Sequence, residues 1–188
     1  MENWFEYAIN GNTKGLIELL DKGIDINSRG DIGERKNWTA LMFASRFSNT
    51  TSSIDTVKLL LERGAEVNLI STDGWTALVV SVYFSNSDSS FDNVKLLLEK
   101  GADINFKSNG EDTALMFASR FSNTTSSLET VKLLLESGAE VNLKDHYGWT
   151  ALMMAVRYSN NESSVDTVRE ILKYKPNINL KKTMVGRL

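Results

Sequence analysis

The chain has no cysteine, one proline and one histidine among its 188 residues. Without cysteine there are no disulfides, no thiolate nucleophile and no Cys-based zinc site. His146, in the turn KDHYGW, has neither a second histidine nor a thiol to complete a nucleophile–base pair or a metal centre, and it reads as a solvated turn residue. An excess of positive charge is lacking too. Lys and Arg number 21 against 24 Asp and Glu, a net charge of -3, so no whole-molecule field collects nucleic acid or anionic membrane. No apolar run approaches the roughly 20 residues of a membrane span, and the start MENWFEYAINGNTKG has no basic stretch leading into an apolar one. The expectation is an intracellular, cytoplasmic protein, with the nucleus left open. The glycines fall at helix exits and turns rather than in a phosphate-binding loop. The residues therefore offer no catalytic, cofactor or metal site, and the chain is expected not to be an enzyme.

What the chain has instead is repetition. TALMFASRFSNTTSS runs from Thr39 to Ser53 and recurs letter for letter from Thr113 to Ser127, with looser copies at Thr76 (TALVVSVYFSNSDSS) and Thr150 (TALMMAVRYSNNESS). Successive copies start 37 residues apart. A fixed period of this size marks a supersecondary unit that cannot bury its apolar face alone and stacks on copies of itself.

Within one unit, Thr39 is a candidate N-cap for a short helix whose buried side holds Leu41, Met42 and Ala44. After a polar stretch, Ser52 with Asp55 three residues later reads as a capping box for a second helix carrying Ile54, Val57, Leu60 and Leu61. The pair recurs as Ser89 with Asp92, Ser126 with Glu129 and Ser163 with Asp166. Gly64, Gly101 and Gly138 follow the second helix, where a left-handed residue closes the last turn. The unit is helix, loop, helix, turn.

DGWTAL, TVKLLLERGAEVN, NVKLLLEKGADIN and TVKLLLESGAEVN resemble the ankyrin repeat, and the resemblance covers nearly the whole chain. It implies an all-α fold, an ankyrin-type helix-turn-helix solenoid with β-turn or hairpin fingers. One domain is expected over 1–188: an N-terminal capping repeat and linker at 1–38, internal repeats at 39–75, 76–112 and 113–149, a last repeat at 150–179 and a tail at 180–188. The chain departs from the family in three places. The usual proline of the first helix is replaced by Ala40, Ala77, Ala114 and Ala151, losing pre-organisation of φ there. The inter-helix turn is expanded by four residues into a Ser/Asn-rich loop, expected to stack into a ladder along one edge, with the unvarying Asn49, Asn86, Asn123 and Asn160 expected to bond nearby backbone. At the last exit Lys175-Pro176 replaces Gly-Ala, and the proline should push Lys175 toward extended geometry. Glu170 replaces the leucine of Leu59, Leu96 and Leu133, as a terminal cap facing no neighbour would, although Glu18 in the first copy does not obey that logic. The tail is expected to fold over the final helices as a partial cap.

The resemblance further implies a non-enzymatic protein-protein interaction module, an adaptor, scaffold or sequestering protein that binds through its turn tips and a concave first-helix surface. In proteins of large DNA viruses or intracellular bacteria, the resemblance would imply a host protein as partner. Carried onto this chain, the tips are Trp38, Trp75 and Trp149, with Asp112 in the third copy, and beside them His146 and Tyr147. The first helices end at Arg46, Tyr83, Arg120 and Arg157. Trp, Tyr and Arg are the types enriched at binding hot spots. Phe47, Phe84, Phe121 and Tyr158, aromatic in every copy, are expected to brace the loop, whereas the arginine column, broken by Tyr83, reads as surface. The alternatives are a structural array without a specific target, and a polyanion binder built on the arginine column. A monomer that binds neither nucleic acid nor membrane is the expectation.

Overall fold

In a computed structural model that describes residues 2–179, the chain is all-α apart from one hairpin, and Cα packing divides it into two compact units, 1–103 and 104–188. The expected folding-back of 180–188 lies outside the described residues.

In the first unit, α1 (Glu2–Ile9) packs against α2 (Thr13–Asp21) and α3 (Ala40–Arg46). Between α2 and α3 the chain forms an antiparallel hairpin, β1 (Arg29–Ile32) and β2 (Arg35–Thr39), turning through Gly33 at φ 57°. Gly30 lies opposite Trp38, and a side chain at Gly30 would overlap the Phe5 ring; the glycine lets α1 close against the strand. α4 (Ile54–Glu62), α5 (Ala77–Tyr83) and α6 (Phe91–Glu99) complete the unit. In the second unit, α7 (Ala114–Phe121) pairs with α8 (Leu128–Glu136), and α9 (Ala151–Tyr158) with α10 (Val165–Leu172).

The short helices begin where the sequence indicates. Thr39, Thr76, Thr113 and Thr150 are extended N-caps whose hydroxyls accept from the backbone N–H three residues on, leaving Ala40, Ala77, Ala114 and Ala151 as first helical residues. The second helices begin one residue later than the capping-box reading. Ser90, Ser127 and Ser164 cap them, accepting from the N–H of Asn93, Thr130 and Thr167; Ser53 holds the same place without a side-chain cap bond. Ser89, Ser126 and Ser163 are instead fully buried, and the acidic residue falls in the first turn, where it complements the helix dipole. The exits are Schellman closures: Ala65 N–H donates to Leu60 C=O and Gly64 N–H to Leu61 C=O, with Gly64 at φ 94°. Gly101 and Gly138 repeat this.

Each unit's core is built from Val57, Leu60, Val94 and Leu97, or Val131 and Leu134, all without exposure, together with the short helices. Burial of each such side chain is worth about 1.5–3 kcal/mol. Adjacent copies are tied by two sets of polar rungs. At the exits, Asn27 Oδ1 accepts from Glu66 N–H and Asn68 Oδ1 from Asp103 N–H in the first unit; Asn105 accepts from Glu140 and Asn142 from Asn177 in the second, at 2.8–2.9 Å. At the long loops, Asn49 N–H donates to Asp88 C=O and its side-chain amide to Ser87 C=O. Asn123 does the same to Glu162 and Asn161. The loop ladder thus runs between the paired copies of each unit.

Two expectations at the C-terminal end meet a different structure. Lys175 adopts φ 50° rather than extended geometry, because it occupies the left-handed position that Gly64, Gly101 and Gly138 hold in the other copies. The closure overrides the preference imposed by Pro176. Glu170 is buried rather than facing solvent, its carboxylate 2.6 Å from Lys173 Nζ.

Candidate partner-binding site

The turn tips are held by one repeated device. Ser71 Oγ accepts from Trp75 N–H, Ser108 Oγ from Asp112 N–H, and in the last copy Asp145 Oδ1 accepts from both Tyr147 and Trp149 N–H at 2.9 and 2.7 Å. Ser71, Ser108 and Asp145 are all buried. The residue just before each tip position must be left-handed: Asn37, Gly74, Glu111 and Gly148 have φ of 61°, 74°, 61° and 79°. Glu111 is the costly member, because an L side chain with a full Cβ is strained there. Its carboxylate bonds Lys107 Nζ at 2.9 Å, which holds it below its usual range. In the second unit, His146 N–H donates to Gly110 C=O and ties the third tip to the fourth.

The ten sequence-derived residues separate into three groups. Trp38 is 1% exposed, packed on Phe43 at 5.1 Å under the hairpin, so it is no surface tip. The hairpin, absent from the other copies among the described residues, and the Arg35 guanidinium 5.4 Å over its ring enclose it. Trp75 is half-buried against Tyr83 at 5.4 Å, and Tyr83 in turn packs edge-on to Phe84. The first-helix surface is correspondingly small: Ala40–Ser45 and Ala77–Val82 are buried throughout.

Arg46 and Arg120 are braces rather than free surface. Arg46 lies 3.1 Å from Asp88 and 3.8 Å over the Phe84 ring; Arg120 lies 3.0 Å from Glu162 and 4.4 Å over the Tyr158 ring. Each also covers the phenyl ring that follows it in sequence. Burial, then the like charge of Arg35, draws the Arg46 guanidinium below its usual range, against the opposing pull of Asp88. The aromatic column therefore does brace the loops in these pairs, with arginine as its counterpart. Alternate copies carry complementary halves: Arg46 and Arg120 in one set, Asp88 and Glu162 in the other.

The third group is the second unit's tips. Tyr147 is 57% exposed, His146 is exposed and edge-on to it at 5.4 Å, Trp149 is half-buried, and Arg157 stands exposed. Asp112, Trp149 and Tyr147 line a cavity of about 260 Å³ with Arg120, Asp145 and Tyr158. Burial, and next the negative charge of Asp145, push the Asp112 carboxyl up to about 6 despite the opposing effect of Arg120. Sequence reasoning missed Asp145, whose only signal was its place in the column of Ser71 and Ser108. Among the described residues, no group of three or more His, Asp or Glu is arranged to hold a metal ion, and no helix is long and apolar enough to cross a membrane.

Residues 4–108 and 89–182 match the family described as ankyrin repeats (3 copies). The chain belongs to the ankyrin-repeat family. Ankyrin repeats generally serve as protein-interaction modules. Three ankyrin repeat proteins of Acanthamoeba polyphaga mimivirus are similar to parts of this chain, at 46% identity over 61 residues, 39% over 69 and 41% over 69. These stretches are 32%, 36% and 37% of this chain and 10–11% of each relative's own length. The ankyrin assignment agrees with the all-α helix-turn-helix fold and with the repeats seen in the sequence.

Proposed function

We propose that this ankyrin-repeat chain is a non-enzymatic interaction module that binds a protein partner through the tips of its second unit. The observation that carries this reading is the clustering of exposed Tyr147 and His146 with half-buried Trp149 around a concave cleft. Aromatic side chains that are partly exposed yet held rigidly offer large contact area at low entropic cost. Here the rigidity comes from Asp145, which accepts from two tip N–H groups. Trp38, Arg46 and Arg120 are assigned to the framework, and the binding residues to Tyr147, Trp149, Asp112 and His146. Trp75 with Tyr83 is a secondary surface. The general setting of ankyrin-repeat proteins supports action in an intracellular compartment.

The similarity to mimivirus proteins makes a lysate of Acanthamoeba polyphaga the first place to seek the partner, which we take to be a host protein. A photo-crosslinking amino acid at Tyr147 should trap one discrete protein from that lysate, while the same probe at exposed Glu136 or Glu99 should not. Identical adducts from all positions would defeat the reading.

A further inference from the structure

We infer that the cleft between the tips at 108–113 and 145–150 is a receptor for a basic side chain, lysine or arginine, projecting from the bound protein. This rests on the interaction-module reading and names the chemistry of what is bound.

The cleft exists because one tip lost its indole. In the second copy Trp75 lies on Tyr83; in the third copy the same two places hold Asp112 and Arg120. Arg120 is drawn away to Glu162 and stacked over Phe121 and Tyr158, so no ion pair reaches Asp112 among the described residues. Two carboxylates, Asp112 and Asp145, stand on the walls of a cavity also lined by Tyr147, Trp149, Met154 and Tyr158 and by Arg120, whose charge is already paired with Glu162. Carboxylate beside aromatic faces is the surrounding that accepts an ammonium or guanidinium group, through charge and through the ring quadrupoles.

The local backbone is shaped around the Asp112 carboxylate. A Cβ at Gly110 would stand 2.7 Å from Asp112 Oδ2, so a side chain there would displace the carboxylate from its present position. The following residue, Glu111, takes the left-handed position that glycine fills at 74 and 148. Strain of this kind persists where surrounding structure enforces it. The high proton affinity of the Asp112 carboxyl comes first from its burial and next from the negative charge of Asp145, which Arg120, engaged with Glu162, only partly offsets. A metal ion is a poorer occupant, since the walls present only two carboxylates and no third ligand. A long basic side chain can instead lay its alkyl stem along Met154 and Trp149 and set its charge between the acids.

The test is a nuclear magnetic resonance titration of the whole chain at pH 7 and low salt with Nα-acetyl-arginine methylamide, Nα-acetyl-lysine methylamide and the neutral norleucine counterpart. Saturable shifts at the amides of Gly110 to Asp112 and Asp145 to Trp149 are expected from one or both basic probes, on the order of 1–10 mM as suits a single side chain. The stronger probe identifies the preferred base. Asp112→Asn should weaken that binding about tenfold or more, and bound cation should lower the titration midpoint of Asp112. No saturable shift, equal shifts with norleucine, or binding unchanged in Asp112→Asn would each overturn the inference. If crosslinking at Tyr147 still traps one protein in that event, the module reading survives alone.

Discussion

Replacing Asp112 by Asn removes one ionisable group from the second unit while keeping its size, and the consequence depends on pH in a defined way. The folded carboxyl titrates at about 6 against an ordinary value of 3.8. Because the folded value is raised, the ionised form is the disfavoured one: below about pH 4 the carboxyl is protonated in both states and costs nothing. The cost grows as pH rises from about 4 to about 6, and is constant above that. The full displacement corresponds to about 3 kcal/mol at 1.36 kcal/mol per tenfold change in proton affinity. Asp112 is partly exposed, and solvent screening reduces the expected cost to about 1–2 kcal/mol. Urea unfolding followed by tryptophan fluorescence, on wild type and Asp112→Asn in parallel between pH 4.5 and 7.5, isolates the effect because all other carboxylates are common to both. The variant should exceed wild type by only about a third of the full difference at pH 4.5, and by about 1–2 kcal/mol at neutral pH. A difference that does not change with pH, or a variant less stable at pH 7, would refute the placement of Asp112 in a partly buried site beside Asp145.

Glu111→Gly and Lys175→Gly each relieve a left-handed L residue and should raise stability by about 1 kcal/mol in thermal unfolding; the exposed Lys107 pair lost with Glu111 contributes little. Destabilisation by either would contradict the positive φ assigned to that position. Ala40→Pro, Ala77→Pro, Ala114→Pro and Ala151→Pro should each be tolerated or add about 0.4–1 kcal/mol, because each follows an extended threonine at the first helical position. Losses of several kcal/mol across the set would break the assigned register. A double-mutant cycle on Arg46 and Asp88 should give a coupling of about 1 kcal/mol, with Arg120 and Glu162 somewhat weaker because Arg120 is the more exposed arginine. Zero coupling in both cycles would remove the bracing role.

Much of the framework was legible in the sequence because it is local and periodic. A threonine before Ala-Leu and a glycine after Leu-Leu-Leu-Glu each specify a backbone conformation within a few residues, and both appear where expected. The second-helix caps were read one residue early because paired serines such as Ser89-Ser90 offer two registers; burial of the first serine decides between them, and that depends on the neighbouring copy. Lys175 was misplaced because the demand for a left-handed exit outweighed the local effect of Pro176. Trp38 could not be told from Trp75 or Trp149 by its own Trp-Thr context, since its enclosure comes from a hairpin formed by residues upstream. The arginine column looked broken when read one copy at a time. Set against the Thr51, Asp88, Thr125 and Glu162 column, its alternation becomes a rule of pairing 42 residues apart. The cleft was legible only as an odd residue, Asp112 where tryptophan stands elsewhere; that the substitution opens a cavity beside Asp145 follows from the stacking of two tips.

The most direct test of the interaction-module reading is a quantitative pull-down from Acanthamoeba lysate comparing wild type with Tyr147→Ala and with Tyr147→Ala/Trp149→Ala, after circular dichroism shows all three folded. The proposed site requires a discrete protein retained by wild type, reduced by the single variant and lost by the double. Equal retention by all three, or no protein retained above a control, would contradict recognition at these tips.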